Sequence, residues 1–579
     1  MHQRTTIDLP LEAIGIGTDP QGNLRGALED GASTYTCLPA GVRALMPGSG
    51  GPSHHSFTKG RPLSDTHFDV LVIGGGPAGY VGAIRAAQLG YKTACIERAK
   101  LGGVCLNWGC IPSKSLLANA ELVEKLTKAD AQKFWGLKIG GSVELDWDRV
   151  IGRSRDVASK LNKGIEFLFK KNKVTHFVGN AKITKAATPA NGNKCTVEVQ
   201  ECQVKEELTS APATPGKTTQ TLTATHVIVA TGSVARDLPF AKFDGDRIWG
   251  AREAMFNKER PKKLVVVGAG AIGMEFAYFY HSMGTQVTVI EMLDRIVPIE
   301  DADVGAALQK VYTKSGMTIL TSHTTLAVEK SGAGVKVTVA PFAAGKADES
   351  KKQVLEADRV LLAIGVKGRT DGLCDASLGL KIEKDHIVTD FVPGKTTNQA
   401  IDYKTNLPGV YAVGDVIGPP WLAHVASEEA ITCVERIAWK AKKWHHEPHP
   451  IDYGIIPGCT YCVPQVASVG FTEQKLVELG KVKGKDYEVG KYAFQSHGKA
   501  IAAAHTDGFV KILRGLPRGE ILGAHILGDQ ATELIGELTL ARRLEATTEE
   551  LIATIHAHPT MHEAVHEAAL AAEGRAIHA

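Results

Sequence analysis

One order of residues occurs twice in this chain and restricts its fold more than any other feature. An apolar run, Val70–Ile73, leads straight into Gly74-x-Gly76-x-x-Gly79. Residues 78–90, rich in Ala and Leu, read as a helix ended by Gly90, and a second strand, Thr93–Ile96, closes at Glu97. Further on, strand Leu264–Val267 meets Gly268-x-Gly270-x-x-Gly273, a helix through Met283, a stop at Gly284, and strand Gln286–Ile290 ending at Glu291. Short, uniformly apolar strands suit burial on both faces, and strand–helix–strand units build parallel sheets covered by helices.

Each part has a task in binding a dinucleotide. The first glycine permits a tight turn, the second lets the backbone approach a pyrophosphate, and the third lets helix pack on strand. The phosphates meet the positive end of the helix, and the acid about twenty residues on accepts hydrogen bonds from ribose hydroxyls. A bare glycine triplet arises in any Gly-rich turn, whereas strand, glycines, helix, strand and terminal acid together are specific. The predicted fold class is therefore α/β, with two Rossmann-like dinucleotide-binding domains. A carboxylate at Glu291 welcomes a free 2′-hydroxyl and repels a 2′-phosphate, which favours NAD over NADP at the second unit. Two more strands end in small residues, Val227–Ala230 before Thr231-Gly232-Ser233 and Val360–Ile364 before Gly365. They read as crossings between domains close to a cofactor.

With 579 residues the chain exceeds one ordinary core and should form several domains. A net charge of +3 gives no electrostatic case for nucleic acid or an anionic membrane. No apolar run reaches the ~18–20 residues needed to span a bilayer. The ten cysteines are scattered rather than arranged as a secreted framework, which favours a reducing compartment. Residues 1–66 are rich in Gly, Pro, Ser and Thr and read as a loose extension, with a short ordered piece expected around Leu9–Ile16. They lack a secretory signal, and their six acids against five Lys plus Arg do not suit an organelle transit peptide. A cytoplasmic location is expected. A solvated tail and a partner-docking arm are the two readings of the extension.

Directly after the first unit comes Leu101-Gly-Gly-Val-Cys105-Leu-Asn-Trp-Gly-Cys110-Ile-Pro-Ser-Lys114. In a regular helix two cysteines at this spacing lie on different faces, too far apart for a disulfide, which needs Cα atoms within about 7 Å. A Cys105–Cys110 bond therefore requires a distorted helix start, and Gly109 eases the approach. Strained, accessible disulfides exchange, and a helix N-terminus favours the reactive thiolate. A static staple closing so short a loop stabilises little, and a metal site would need more ligands than stand nearby. A redox pair is the favoured reading.

The segment Gly-Gly-x-Cys-Leu-Asn-x-Gly-Cys-Ile-Pro-Ser-Lys resembles the redox-active stretch of the two-cysteine pyridine nucleotide–disulfide oxidoreductases, and within them the dihydrolipoamide dehydrogenase branch. The likeness runs from about Phe68 to about residue 573. It implies FAD at the first unit, on Gly74, Gly76, Gly79 and Glu97, and NAD at the second. Tyr411-Ala-Val-Gly414-Asp415 is similar to the second FAD motif, with Asp415 on the ribityl chain and Leu422, Ala423 and His424 near the flavin. Lys114, paired with Glu275, would sit by flavin N5. His556-Ala-His558-Pro-Thr-Met-His562-Glu563 resembles the acid–base motif, with His558 as base and Glu563 orienting it. A dithiol must lose protons, and imidazole titrates near neutral pH. The His-rich segment could alternatively be a weak metal site or a plain surface; no metal is expected. By resemblance, His558 serves the opposite subunit of a homodimer. The expected reaction is oxidation of dihydrolipoyl groups by NAD, the partner being a lipoylated acyltransferase or a glycine cleavage H protein.

The implied domains are the extension 1–66, an FAD domain 67–232, an NAD domain 233–376, a central part 377–450 that contacts FAD again, and a C-terminal α+β dimerisation domain 451–579. Glutathione reductase-like relatives would have basic residues where Glu291 stands. Mercuric and large thioredoxin reductases carry extra C-terminal thiols, and no cysteine follows Cys462. A mainly docking role for the chain is a further alternative, disfavoured by the complete redox set. After Ile364-Gly365 the chain reads Val-Lys-Gly-Arg-Thr where the family often has Arg-x-Pro-Asn-Thr, which leaves the NAD contacts there open. Residues 203–225 read as a polar surface hairpin loop, and Cys459-x-x-Cys462 as packing.

Overall fold

The computed structural model describes residues 66–127, 133–202, 215–392 and 401–578, together with two short strands, Ile16–Thr18 and Leu24–Gly26. The chain divides into two compact units, Met1–Leu63 and Ser64–Ala579. In the first, the two short strands pair antiparallel. The ordered piece expected at Leu9–Ile16 lies, except for Ile16, outside the described residues.

The second unit opens with β1 (His67–Ile73), α1 (Pro77–Gln88) and β2 (Thr93–Glu97). Val70–Ile73 are each 4% exposed or less, and burying such a side chain stabilises by about 1.5–3 kcal/mol. Pro77 stands at the start of α1, where its missing N–H costs nothing. α2 (Gly103–Trp108), α3 (Cys110–Thr127) and α4 (Trp147–Lys171) follow. The chain returns through β3 (Thr175–Val178), β4 (Asn180–Lys185), β5 (Cys195–Cys202) and β6 (Pro215–Val229). β6 belongs to two layers: its first half pairs antiparallel with β5, its second half parallel with β1. The loop expected over 203–225 is thus corrected for 215–225, which are strand. Thr-rich alternation suits a pleated surface, and it buries Leu222 and Ala224 completely. Residues 203–214 lie outside the described residues.

The second strand–helix–strand is β7 (Ile248–Trp249), α5 (Ala251–Phe256), β8 (Lys263–Val267), α6 (Ala271–Ser282) and β9 (Gln286–Ile290). α7 (Ala302–Lys314) and β10 (Thr318–Leu320) extend it. A meander of β11 (His323–Ser331), β12 (Gly334–Ala343) and β13 (Gln353–Ala357) leads to β14 (Arg359–Leu362). The parallel order is β7-β14-β8-β9-β10. Ser233–Ala235 and Val366–Gly368 pair antiparallel, so the two crossings lie side by side.

β15 (Val410–Ala412) then returns to the first sheet, parallel to the end of β6. α8 (Ala423–Lys440) packs on α1, and residues 401–438 share one apolar core with 68–230. The C-terminal part is an antiparallel sheet of β16 (Gly458–Thr460), β17 (Gln465–Gly470), β18 (Tyr487–Ala493), β19 (Phe509–Gly515) and β20 (Ile521–Gly528) in the order β16-β17-β20-β19-β18. Helices α9 (Ala531–Arg543) and α10 (Glu563–Ala572) complete its core. The architecture is α/β, with one mixed sheet whose core strands are parallel, one parallel sheet, and a C-terminal α+β part. Among the described residues no helix is long and apolar enough to cross a membrane.

Candidate active site

The carboxyl ends of β1, β2, β6 and β15 converge on one cavity of about 480 Å³, a size suited to a small molecule or cofactor. Gly74, Gly76, Glu97, Thr231, Gly232, Asp415 and Ala423 line it, as do both Cys105 and Cys110. Gly74 has φ +104°, and a Cβ there would stand 2.3 Å from the Ala230 carbonyl oxygen. At Gly79 a Cβ would meet the Gly74 oxygen at 1.8 Å, so this glycine sets the helix against the turn from behind the cavity. A Cβ at Gly76 would have only the Gly103 Cα, 3.8 Å away, as a neighbour. The backbone there is open to a ligand at the N-terminus of α1, and a dinucleotide fits these residues.

The second unit repeats the geometry. Gly268 has φ +99°, a Cβ at Gly273 would lie 1.9 Å from the Gly268 oxygen, and Gly270 has open space. Gly365 stands just beyond β14 with φ +102°. Both terminal acids already serve the backbone. Glu97 accepts from Gly75 N at 2.6 Å and Ala99 N at 2.8 Å. Glu291 accepts from Ala269 N at 2.7 Å and Leu293 N at 2.9 Å. Each oxygen keeps a second lone pair for a ribose hydroxyl.

The cysteines sit on two helices, not one. α2 ends at Gly109, whose φ −140° and ψ −124° break the helix, and α3 starts at Cys110. A Cβ on Gly109 would be 2.8 Å from the Val104 oxygen and 3.2 Å from the Cys105 Cα, so only glycine allows the fold-back. The Cys105 and Cys110 side chains are not bonded to each other here but lie close enough to perturb one another. The Cys105 side chain, with help from the Lys114 ammonium, holds Cys110 below the ordinary thiol range. The Cys110 side chain, then burial, push Cys105 well up. Cys110 and Lys114 are four residues apart on α3, hence on one face.

Lys114 Nζ donates to both oxygens of Glu275 on α6, at 2.9 and 3.0 Å. Asp415 is half-buried and accepts from Ser233 Oγ at 2.6 Å; desolvation of its carboxyl raises its pKa. Leu422 caps the start of α8, and His424 Nε2 lies 3.1 Å from the Pro457 oxygen.

His558 Nδ1 is 2.8 Å from Glu563 Oε1, and Glu563 Oε2 accepts from Thr560 N at 2.9 Å. Burial would raise Glu563, but these two bonds hold it below the usual carboxylate range. The His558 side chain is 81% exposed and is not part of the cavity wall of its own chain. His556 and His562 both bond Glu537, at 2.6 Å each. Among the described residues no group of three His, Cys, Asp or Glu could hold a metal. Cys459 is partly buried and Cys462 fully so, with no bond between them.

Several contributors carry no sequence signal of their own. Arg98, Arg252 and Arg369 line the cavity, and the Arg252 guanidinium lies 4.1 Å over the Trp108 ring. Arg369 stands in the stretch where the chain departs from the family pattern. Glu429 accepts from Gly414 N and from Tyr453 Oη, both at 2.7 Å, behind Asp415. Ser233 was legible only as part of a Thr-Gly-Ser strand end.

The fold and this cavity define a two-dinucleotide disulfide oxidoreductase, and the chain belongs to the pyridine nucleotide-disulphide oxidoreductase family. Residues 68–430 match that family and residues 456–569 match its dimerisation domain. The chain is 44% identical over 514 residues to a dihydrolipoyl dehydrogenase of Rhizobium etli, covering 88% of this chain and 99% of that one. It is 40% identical to the mitochondrial dihydrolipoyl dehydrogenase of Pisum sativum, over 88% of this chain and 92% of the other. Among solved structures it resembles LpdA of Mycobacterium tuberculosis, with a TM-score of 0.71, 25% identity, and 86% of this chain and 99% of that chain covered.

Proposed function

We propose that this chain oxidises protein-bound dihydrolipoyl groups to lipoyl groups with NAD as acceptor. The observation that carries the reading is the Cys105–Cys110 pair on the wall of the dinucleotide cavity, with Cys110 drawn toward thiolate. A substrate thiolate attacks Cys105 of the oxidised pair; the Cys105–Cys110 bond breaks and Cys110 leaves as thiolate. Its low pKa makes it the better leaving group, and Lys114 balances the charge. The second substrate thiol loses its proton to His558 and attacks the sulfur bonded to Cys105. The substrate disulfide forms, and Cys105 is released and protonated. Gly76, Glu97 and Asp415 would hold FAD, and Gly270, Glu275 and Glu291 would hold NAD; the flavin would supply the two-electron link to the nicotinamide as Cys110 and Cys105, the latter losing its proton, re-form their disulfide.

His558 completes the site of a second copy of the chain in this reading, supported by its exposure and by the dimerisation-domain match. The partner is a lipoylated acyltransferase or a glycine cleavage H protein, and the scattered cysteines suit the cytoplasm. Flavin-loaded protein should form NADH from dihydrolipoamide and NAD at 340 nm. Absence of NADH, or undiminished turnover by Cys110→Ser, would sink the reading. Co-purification with a lipoylated protein, with and without residues 1–66, tests the partner and the docking arm.

A further inference from the structure

The Lys114–Glu275 pair has a third member that comes from the C-terminal part. Immediately after β16, Tyr461 donates its backbone N–H to Glu275 Oε1 at 3.0 Å. That oxygen also accepts from Lys114 at 2.9 Å. The Tyr461 ring lies 4.1 Å from the Lys114 Nζ. The ammonium is thus held between a carboxylate on α6 and an aromatic face from the C-terminal sheet, while its stem rises from α3, four residues after Cys110. A cation over a tyrosine face is attracted by the ring quadrupole. Burial, then the neighbouring Cys459, raise the phenol to about 12, so the ring stays neutral in the working range.

We propose that Tyr461 is a positioning residue of the redox centre: its ring and backbone N–H fix the Lys114 ammonium and the Glu275 carboxylate in one arrangement beside Cys110. The proposal rests on the disulfide-oxidoreductase reading of Cys110 but not on any particular dithiol substrate. It also gives the C-terminal part a role in the electron-transfer half of the site, besides carrying His558. The titratable groups near the Cys110 sulfur are Cys105, Lys114, Glu275 and the Tyr461 phenol, which stays neutral in the working range. Loosening Lys114 should therefore be read at Cys110.

The test is the pH profile of Cys110 alkylation by iodoacetamide in reduced, FAD-loaded protein, followed by peptide mass. A Cys105→Ser background leaves Cys110 as the one thiol of the pair. Tyr461→Phe keeps the ring and should keep the profile. Tyr461→Leu keeps the backbone N–H, loses the ring, and should raise the midpoint by about 0.4–1.5 pH units. If the Leu variant does not fold, Tyr461→Met fills the space without a ring and should show the same shift. In a Lys114→Met background the Leu change should add nothing, because the ring acts through the ammonium. An unmoved midpoint, or an equal shift without Lys114, overturns the proposal. The readout involves no turnover, so failure to oxidise dihydrolipoamide would show separately.

Discussion

Glu429 offers a prediction whose sign follows from burial. It is 2% exposed, behind the Gly414–Asp415 turn, and accepts from Gly414 N and Tyr453 Oη. Burial outweighs both bonds and raises its carboxyl from 4.5 to about 7. The folded protein therefore holds a proton that the unfolded chain releases between about pH 4.5 and 7. A carboxylate with a raised folded pKa costs nothing below the unfolded value. Its cost grows as pH rises through this window and is complete above the folded value. At 1.36 kcal/mol per unit the cost at pH 8 is about 3 kcal/mol. Glu429→Gln keeps an acceptor for Gly414 N and an amide for Tyr453, whose hydroxyl also lies 2.9 Å from that of Tyr403, so the chain of hydroxyls can reverse. Denaturant midpoints of the two proteins should nearly coincide at pH 5. By pH 8 the variant should be the more stable one, by up to about 3 kcal/mol. A variant less stable than the parent at pH 8, or a difference that does not change with pH, would refute the burial argument.

At the helix break, Gly109→Ala puts a Cβ 2.8 Å from the Val104 oxygen. Such overpacking costs about 1–3 kcal/mol and should separate the thiols, moving the Cys110 alkylation midpoint up toward that of an ordinary thiol. Lys511 is 1% exposed and bonds Asp301, Asp303 and Glu473 at 2.9, 3.2 and 2.6 Å, tying α7 to the C-terminal sheet. Lys511→Met should destabilise by about 3–5 kcal/mol at pH 7. Calorimetry should show the deficit shrinking in acid, where the carboxylates protonate. Arg252→Gln removes a guanidinium from the cavity wall, and flavin fluorescence should report FAD bound about tenfold or more weakly if it meets the diphosphate. Unchanged affinity would leave Arg252 as a packing partner of Trp108.

The sequence by itself determined the two parallel-sheet units, because their signals are local. Apolar strands, glycines that must adopt positive φ or yield to a carbonyl, and a terminal acid follow one another within about thirty residues. The spacing of Cys105 and Cys110 demanded a distorted helix, and the structure specified the device: two helices meeting at Gly109. The Thr-rich stretch from 215 onward is polar in composition like a loop, yet its two-residue alternation makes it a strand that buries Leu222 and Ala224.

Contacts across hundreds of residues were decided only by the tertiary structure. Glu275 could be paired with Lys114 through family likeness alone, and nothing in the chain near Tyr461 marks it as the third member. Arg369 comes to the cavity because the crossings lie side by side, Arg252 because α5 packs on α2, and Glu429 backs Asp415 because α8 packs on α1. Local sequence can specify where a backbone must turn. Which side chains then face a common space depends on how the sheets pack, and that information is spread over the whole core.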